Sequence, residues 1–571
     1  MRAAIVDGYV DEPSTLGVPP YISPYPRLLA GAVRDAGHDW LYLTADELRA
    51  AGLVSGSPTL PTPGARERAL KKARILSECD VLALSGGASV PGKYLRGLPL
   101  SVREMGELAR AFRGAKLLGG PLARFSPWAL EGVWGLFDFV ARKDAEAALY
   151  EYLRVGRWRD RERSAEEEER WLRTGAALVR EHPDFPRPLM VELLLYRGCV
   201  RYRSGGCSFC TDALYGRPRF RTPENVAAEV SALHEAGAVG FRLGGASCIF
   251  SYLAEGVGTT EAPRPSLEAV VRLLRGIRAA APGLEVLHTD NANPAVIASH
   301  PEESRAILGE LVSCCTGGNV LSLGLESADP AVIEANNLNA TPEQTLAAVR
   351  MINAAGAAMS PTGLPALLPG LNFLCGLEAE TSRTYELNLD FLRRLAGEGL
   401  LLRRINIRQV APVRRRFPPL RHRGAFLRFK ERVRREIDRP MLARIAPFGT
   451  VLKNVFPEVI IGRLVFGRQS GTYPLLVGIP KGAGSEEALM SGRCLNIVVV
   501  DHGERSVTGL PTPIKVNSLP LSALAAIRGI GRMRAARIVR RRPFKNSSEV
   551  SAALDDPRPL RPLMELISCE K

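Results

Sequence analysis

Cys199, Cys207 and Cys210 lie in the stretch LLLYRGCVRYRSGGCSFCTDALYG, directly after the apolar run Val191–Tyr196. A short apolar run bounded by glycines reads as a buried strand, so the three thiols hang on the loop that leaves it. Three thiolates rather than four suit an iron–sulfur cluster with one iron left open for a substrate, whereas four-cysteine clusters mostly carry electrons. The competing chemistry is zinc. A Cys-x-x-Cys pair is also what zinc sites use, but the chain has no second Cys-x-x-Cys and no His-x-x-x-His. A fourth zinc ligand would have to come from a distance, from Cys248, Cys314 or Cys315.

Strands and helices alternate around that loop. Strands are expected at Met190–Leu195, Gly240–Leu243, Glu285–His288, Val320–Leu325, Leu371–Leu374 and Ile405–Gln409. Helices are expected at Pro223–Ala236, Leu267–Ala280, Glu302–Val312, Pro342–Ala355 and Ser382–Leu395, two of them opened by an N-cap threonine and a first-turn proline. Six strands with intervening helices give a partial (β/α)6 barrel over residues 189–412, with its chemistry at the strand C-terminal ends. Those ends carry Leu243-Gly244-Gly245-Ala246, His288-Thr-Asp-Asn-Ala-Asn293, Leu323-Gly-Leu-Glu326-Ser327, and Leu368–Gly376 followed by Glu380-Thr381. Each also reads as plain strand-end architecture: tight turns for the glycines, buried or ion-paired polar groups for the rest.

The order YRGC…CSFC followed by these strand-end motifs resembles the radical SAM superfamily over about residues 185–412. The superfamily's usual pattern is a cysteine, three residues, a cysteine, a pair containing an aromatic residue, and a cysteine. Here the first gap is four residues longer, and the glycines of Val200–Gly206 let the longer loop close. The resemblance implies an α/β fold with a 4Fe-4S cluster on Cys199, Cys207 and Cys210 and S-adenosyl-L-methionine on its open iron. It implies that Phe209 packs on the adenine and that Gly244 and Gly245 meet the methionyl amino group. It further implies that Asn293 reaches the ribose or carboxylate and that Glu326 holds cofactor or substrate. An electron donor would reduce the cluster, and cleavage of the sulfonium would yield methionine and a 5′-deoxyadenosyl radical that abstracts hydrogen from an unactivated carbon. The protein's share is positioning and shielding. The side chains that act on the substrate are not specified.

Residues 1–150 alternate apolar runs with helical patterns, as an open parallel α/β domain does, with glycine turns at Ser85–Gly86–Gly87 and Gly119–Gly120–Pro121 at strand ends. The domain resembles the cobalamin-binding or flavodoxin-like domains that precede some radical SAM cores, without the Asp-x-His-x-x-Gly cobalamin signature. Residues 151–188 are charged and end in His-Pro-Asp-Phe-Pro-Arg-Pro, which reads as a linker. After a basic helical segment, 413–449, residues 450–516 read as a small β-barrel. That segment resembles weakly the RNA-binding barrel of tRNA methylthiotransferases. Those enzymes hold a second cluster on three N-terminal cysteines, where this chain has only Cys79 in residues 1–150, so no sulfur donor is visible. Residues 517–571 contain two short helical stretches around Gly529-Ile530-Gly531 and resemble a helix-hairpin-helix. Gly529, Gly531, Arg532 and Arg534 would meet nucleic-acid phosphate, while Ile530, Ala535 and Ile538 pack the hairpin.

The net charge of +16 is concentrated. Residues 401–450 carry a net +12 and residues 519–571 a net +6, leaving −2 for the remainder. A positive field confined to the C-terminal part points to nucleic acid, RNA before DNA, although an arginine-rich composition alone would also raise the total. No run approaches the roughly eighteen apolar residues of a membrane span, Met1–Pro13 lacks a signal-peptide pattern, and ten scattered cysteines do not form a disulfide framework, so a cytoplasmic protein is expected. Three readings follow: a radical SAM enzyme acting on nucleic acid, the same chemistry on a small molecule or protein, and a non-catalytic nucleic-acid-binding protein with a structural metal.

Overall fold

The computed structural model describes residues 1–9, 21–60, 63–87 and 95–570; the leading stretch Met1–Pro13 lies outside them from residue 10 on. The first 140 residues supply β1 (Arg2–Asp7), β2 (Tyr21–Ile22), β3 (Asp39–Thr44), β4 (Val81–Ser85), β5 (Ala115–Gly119) and β6 (Phe139–Val140). Five of them form a parallel sheet in the order β3-β1-β4-β5-β6, the doubly wound order of flavodoxin-like domains. Both faces are buried, so β1 is apolar throughout rather than alternating. Ala4 and Val6 enter a core of their own, while Ala3 and Ile5 enter the core that continues into the central barrel.

That shared core makes residues 151–188 packed structure and not the expected linker. Helix Ala165–Thr174 lies against helix Pro24–Asp35, with Trp171 fully buried. The contact is so close that a Cβ on Gly31 would sit 2.1 Å from the Trp171 carbonyl oxygen. Three acids of that helix are ion-paired: Glu167 with Arg161, Glu168 with Arg163 and Glu169 with Arg221.

The central region contains β7 (Met190–Leu194), β8 (Tyr196–Arg197), β9 (Arg219–Phe220), β10 (Gly240–Gly245), β11 (Val286–Thr289), β12 (Asn291–Ala292), β13 (Asn319–Glu326), β14 (Leu367–Cys375) and β15 (Arg404–Gln409). Parallel sheets β11-β10-β7-β2 and β12-β13-β14-β15 join through β11 and β12, two halves of one strand interrupted at Asp290. The result is an open barrel of the six expected strands, with one addition the sequence did not suggest. β2, from the N-terminal region, pairs in parallel with β7 and extends the sheet at that edge.

Beyond it, β16 (Val451–Ile461), β17 (Leu464–Gln469), β18 (Leu476–Pro480), β19 (Leu495–His502) and β20 (Ser506–Pro511) close a small barrel in the order β16-β17-β18-β20-β19. β21 (Ile514–Lys515) pairs with β22 (Ile567–Ser568) around helices Leu521–Ala525, Gly531–Arg540 and Ser547–Ala552. Their core is continuous with Val498, Val500 and Leu510 of the small barrel. No helix among the described residues is long and apolar enough to cross a membrane.

Asp7, at the end of β1, is buried and accepts hydrogen bonds from the Tyr9 N–H and the Tyr42 hydroxyl, both at 2.9 Å. Burial pushes its carboxyl up to about 6. A carboxyl raised on folding contributes stability that is complete below its unfolded pKa and is lost as pH rises through the folded one. Asp7→Asn mimics the protonated form. It should match the native chain in denaturant unfolding near pH 4 and exceed it by about 2–3 kcal/mol at pH 8. Equal stability of the two chains at pH 8 would refute the burial cost.

Candidate functional site

The thiols of Cys199, Cys207 and Cys210 are free, half-buried, and carried by the loop beyond β7 at the C-terminal end of the barrel. Gly205 (φ 79°) and Gly206 (φ 63°) take the left-handed turn that folds the loop back, a conformation open to glycine at little cost. Arg201 binds two of the three sulfurs. Its N–H donates to Cys199 Sγ at 3.4 Å and its Nη1 to Cys207 Sγ at 3.3 Å. The same guanidinium donates to the Asn337 carbonyl (2.9 Å), to Asn337 Oδ1 (2.7 Å) and to Glu261 (2.9 Å). Asn337 Nδ2 returns donations to the carbonyls of Ser204 and Gly206. From the far side of the barrel, Arg414 Nη1 donates to the carbonyls of Gly205, Cys207 and Cys210 at 2.7, 2.8 and 3.1 Å. Ser208 is held by Asn336 through both backbone and hydroxyl.

Burial pushes the Cys199 thiol up to about 11, Cys207 to about 12 and Cys210 further still, and the three interact electrostatically. Thiols in such a place stay protonated until a cation replaces the protons. No three His, Cys, Asp or Glu side chains among the described residues converge tightly enough for a single metal ion. A multi-iron cluster holds its thiolates farther apart than one ion does. Of the distant zinc-ligand candidates, Cys248 accepts the Asn293 N–H at 3.2 Å, and Cys314 and Cys315 close the helix Pro301–Cys314.

Glu326 ends β13 just past a register irregularity, at φ 64°, a left-handed conformation costly for a side-chain-bearing residue. Its carboxyl is buried, has no hydrogen-bond or ion-pair partner among the described residues, and is pushed up to about 8 by burial alone. Its charge acts on Cys207 and Cys375. Strain, burial and lack of a partner single out this carboxyl as a candidate functional position.

Gly245 is required by close approach, since a Cβ there would lie 2.7 Å from Leu194 Cα, whereas one on Gly244 would meet side-chain ends, Arg242 Nε at 2.6 Å and Glu192 Oε2 at 2.8 Å. With Gly198, Tyr196, Asp212 and Ser247, Gly245 lines a small open cleft beside the cysteine loop. Tyr25, Arg197 and Tyr215 separate this cleft from a second one at the β4 and β5 ends, lined by Ser85 and Gly120.

The Asn293 carboxamide caps helix Pro294–Ser299, accepting from Ala295 and Val296 N–H and donating to Asn339. Phe209 packs against Val332, Leu338, Leu377 and Val410. His288 and Asp290 meet the small barrel: His288 Nδ1 accepts the Thr472 N–H at 3.1 Å, and the Tyr473 hydroxyl donates to Asp290 at 2.5 Å. Arg242 lies between Asp290 and Glu192 within the barrel.

At the C-terminal hairpin, Gly529 (φ 87°) and Gly531 (φ 63°) form the turn and Ile530, Ala535 and Ile538 are buried. Arg532 is exposed. Arg534, expected to be free for phosphate, instead makes a two-pronged pair with Asp555 and donates to the Gly529 carbonyl. It braces the turn.

Arg201, Asn336, Asn337 and Arg414 were not legible as site residues: Arg201 lies within the loop but finds Asn337 and Glu261 only in the folded chain, and the other three reach the loop only when the barrel assembles. Arg201→Ala removes charge-assisted bonds to Cys207 and Asn337. In the metal-free chain, Cys207 should then react about tenfold faster with a thiol reagent. An unchanged rate would show that Arg414 and Asn337 hold the loop without it.

The chain matches no family model. It is 40% identical over 529 residues to the uncharacterized protein MJ0274 of Methanocaldococcus jannaschii, covering 89% of this chain and 93% of that one. It is 40% identical over 565 residues to an uncharacterized protein of Archaeoglobus fulgidus, covering 97% of each. Among solved structures it is similar to the radical S-adenosylmethionine methyltransferase TsrM of Kitasatospora setae, with a TM-score of 0.47 and 16% identity over 71% of this chain and 72% of that one. It is also similar to the cobalamin-dependent S-adenosylmethionine radical enzyme OxsB, with a TM-score of 0.46 and 14% identity over 68% and 51% of the two chains. By its end-to-end identity with the two archaeal proteins, the chain belongs to the family of MJ0274 and its Archaeoglobus fulgidus counterpart.

Proposed function

We propose that the chain is a radical S-adenosylmethionine enzyme acting on a nucleic acid, RNA ahead of DNA. The observation that carries this reading is the set of three clamped thiols at the C-terminal end of an open six-stranded parallel barrel, beside the buried, strained and unpartnered Glu326. Cys199, Cys207 and Cys210 would hold a 4Fe-4S cluster. When bound, the cluster supplies the electron that splits S-adenosylmethionine into methionine and a 5′-deoxyadenosyl radical.

The chain's own residues position and shield. Gly244 and Gly245 keep the β10 turn close to β7 and leave the cleft beside the cysteine loop open for the cofactor. Glu326 offers an acceptor to an amino or hydroxyl group of cofactor or substrate in a site dry enough to strengthen that bond. Tyr473 and Thr472 reach into the barrel from the small domain and exclude water on that side. The five-stranded barrel and the hairpin with Arg532 at its exposed turn supply the surface for the nucleic-acid backbone, which supports the RNA reading. An electron donor and a cytoplasmic setting belong to the same proposal.

Anaerobic reconstitution with iron and sulfide should give iron–sulfur absorbance and reductant-dependent cleavage of S-adenosylmethionine. Cys207→Ala should abolish cleavage while leaving nucleic-acid binding intact; loss of both together would assign the cysteines to the fold alone. Binding to RNA through 6–10 phosphates should weaken by about 10³–10⁵ between 50 and 200 mM salt. Salt-independent or absent binding would remove nucleic acid from the reading.

A further inference from the structure

Positive charge collects at the free edge of the barrel's last strand. β15 ends its sheet, with Arg403 beside it and Arg404 as its first residue. Lys430, Arg434 and Asp438 follow at four-residue spacing along helix Arg423–Val433 and the π-helical turn Arg434–Asp438, which gathers them on one side. Arg505, in the turn between β19 and β20, completes the group. Arg403 feels the charge of Arg404 and Arg505, and Lys430 that of Arg434 and Arg505, so the group shares one electrostatic neighbourhood.

None of the five cations pairs with a carboxylate among the described residues. Arg403 donates to the Tyr473 carbonyl at 3.1 Å and keeps its Nε buried without a partner. Arg404 lies 3.9 Å over the Tyr473 ring. The carboxylate of the group is Asp438; burial pushes it up to about 7 against the pull of Arg505, Arg434 and Arg403, so at neutral pH it offsets at most part of one of the five charges. Burial, with Arg404 and Arg505, pulls Arg403 down to about 10. The buried arginines Arg27, Arg49, Arg96, Arg163, Arg221 and Arg242 each meet at least one carboxylate. Cations drawn out of water without a counter-charge cost folding free energy, and an oxyanion removes that cost. The planar fork of arginine suits phosphate in particular.

We propose that the β15 edge is an oxyanion site that grips a phosphate group of the substrate. S-adenosylmethionine carries a sulfonium cation and no phosphate, so it is not the occupant. A polar track leads inward from the edge. Arg408 donates to Asn406 (2.8 Å), Asn406 to Asn372 (3.2 Å) and Asn372 to Ser322 (3.0 Å) on β13, the strand that ends in Glu326. The word substrate rests on the radical reading; the site itself stands on the cations.

Pyrophosphate is titrated calorimetrically into the full-length protein, with and without the reconstituted cluster. The native chain should bind one pyrophosphate. Arg434→Gln with Arg505→Gln should weaken binding at least about tenfold, and lysine at both positions should restore most of it. Arg68→Gln, at an exposed position of helix Pro63–Leu76 in the N-terminal domain, should change nothing. Thermal melting reports folding, and Arg505→Ala alone, at an exposed position, replaces the double variant if that one is destabilised. Absent binding, or binding undiminished in these variants, would overturn the site. Displacement of pyrophosphate by a short RNA or by ribose 5-phosphate tells a phosphodiester source from a small phosphorylated one, and either supports the site. Cleavage of S-adenosylmethionine is measured in the same samples. Phosphate binding without cleavage defeats the radical reading and leaves the site; cleavage without phosphate binding does the reverse.

Discussion

The twelve-residue loop from Cys199 to Cys210 has to keep three thiols toward one another, and its own conformational preferences supply only two left-handed glycines for the purpose. The rest comes from side chains. Arg201, within the loop, spans two sulfurs and Asn337, while from outside it Asn336 holds Ser208 and Arg414 collects three loop carbonyls. Asn336 and Asn337 follow helix Pro330–Ala335 beyond β13, and Arg414 follows β15. The loop therefore reaches its geometry only after six strands have assembled, and the entropy of ordering it is offset by charge-assisted bonds rather than by apolar burial. The four extra residues in the first cysteine gap are accommodated here, since Arg201, Ser204 and Gly205 lie inside that insertion and make the anchoring contacts.

A second set of polar contacts fixes the flanking modules on the barrel. Arg96, from the N-terminal region, is buried between Asp184, just before β7, and Glu458 of the small barrel, so one guanidinium joins three parts of the chain. Arg27 of helix Pro24–Asp35 pairs with Glu229 of helix Pro223–Glu235, and Asp144 gathers Arg124, Arg163 and Arg197. Buried pairs of this kind add little net stability against apolar residues of the same size, but losing one partner is costly, and that asymmetry specifies how the modules dock. Tyr473 does the same for the small barrel through Asp290 and Arg404. Against this background of paired arginines, the unpaired group at the β15 edge stands out as a departure with a chemical use.

The sequence by itself determined the local order of the chain. Alternating apolar runs and amphipathic stretches placed all six barrel strands and their helices, because burial against neighbouring layers leaves a periodicity that a single segment displays. Spacing and residue type singled out Cys199, Cys207 and Cys210 and the strand-end Glu326 for the same reason: their chemistry is written within a few residues. What only the tertiary structure decided concerns partners far apart in the chain. β2 joins the barrel through backbone pairing that needs just two residues, Tyr21 and Ile22, too short a run to carry a pattern. The supposed linker is packed because its acids meet arginines up to fifty-two residues away, as Glu169 meets Arg221. Asn293 caps a helix, Arg534 is drawn to Asp555, and Arg201 and Arg414 hold the cysteine loop, each through an electrostatic contact whose two halves are separated in sequence and meet only when the fold closes.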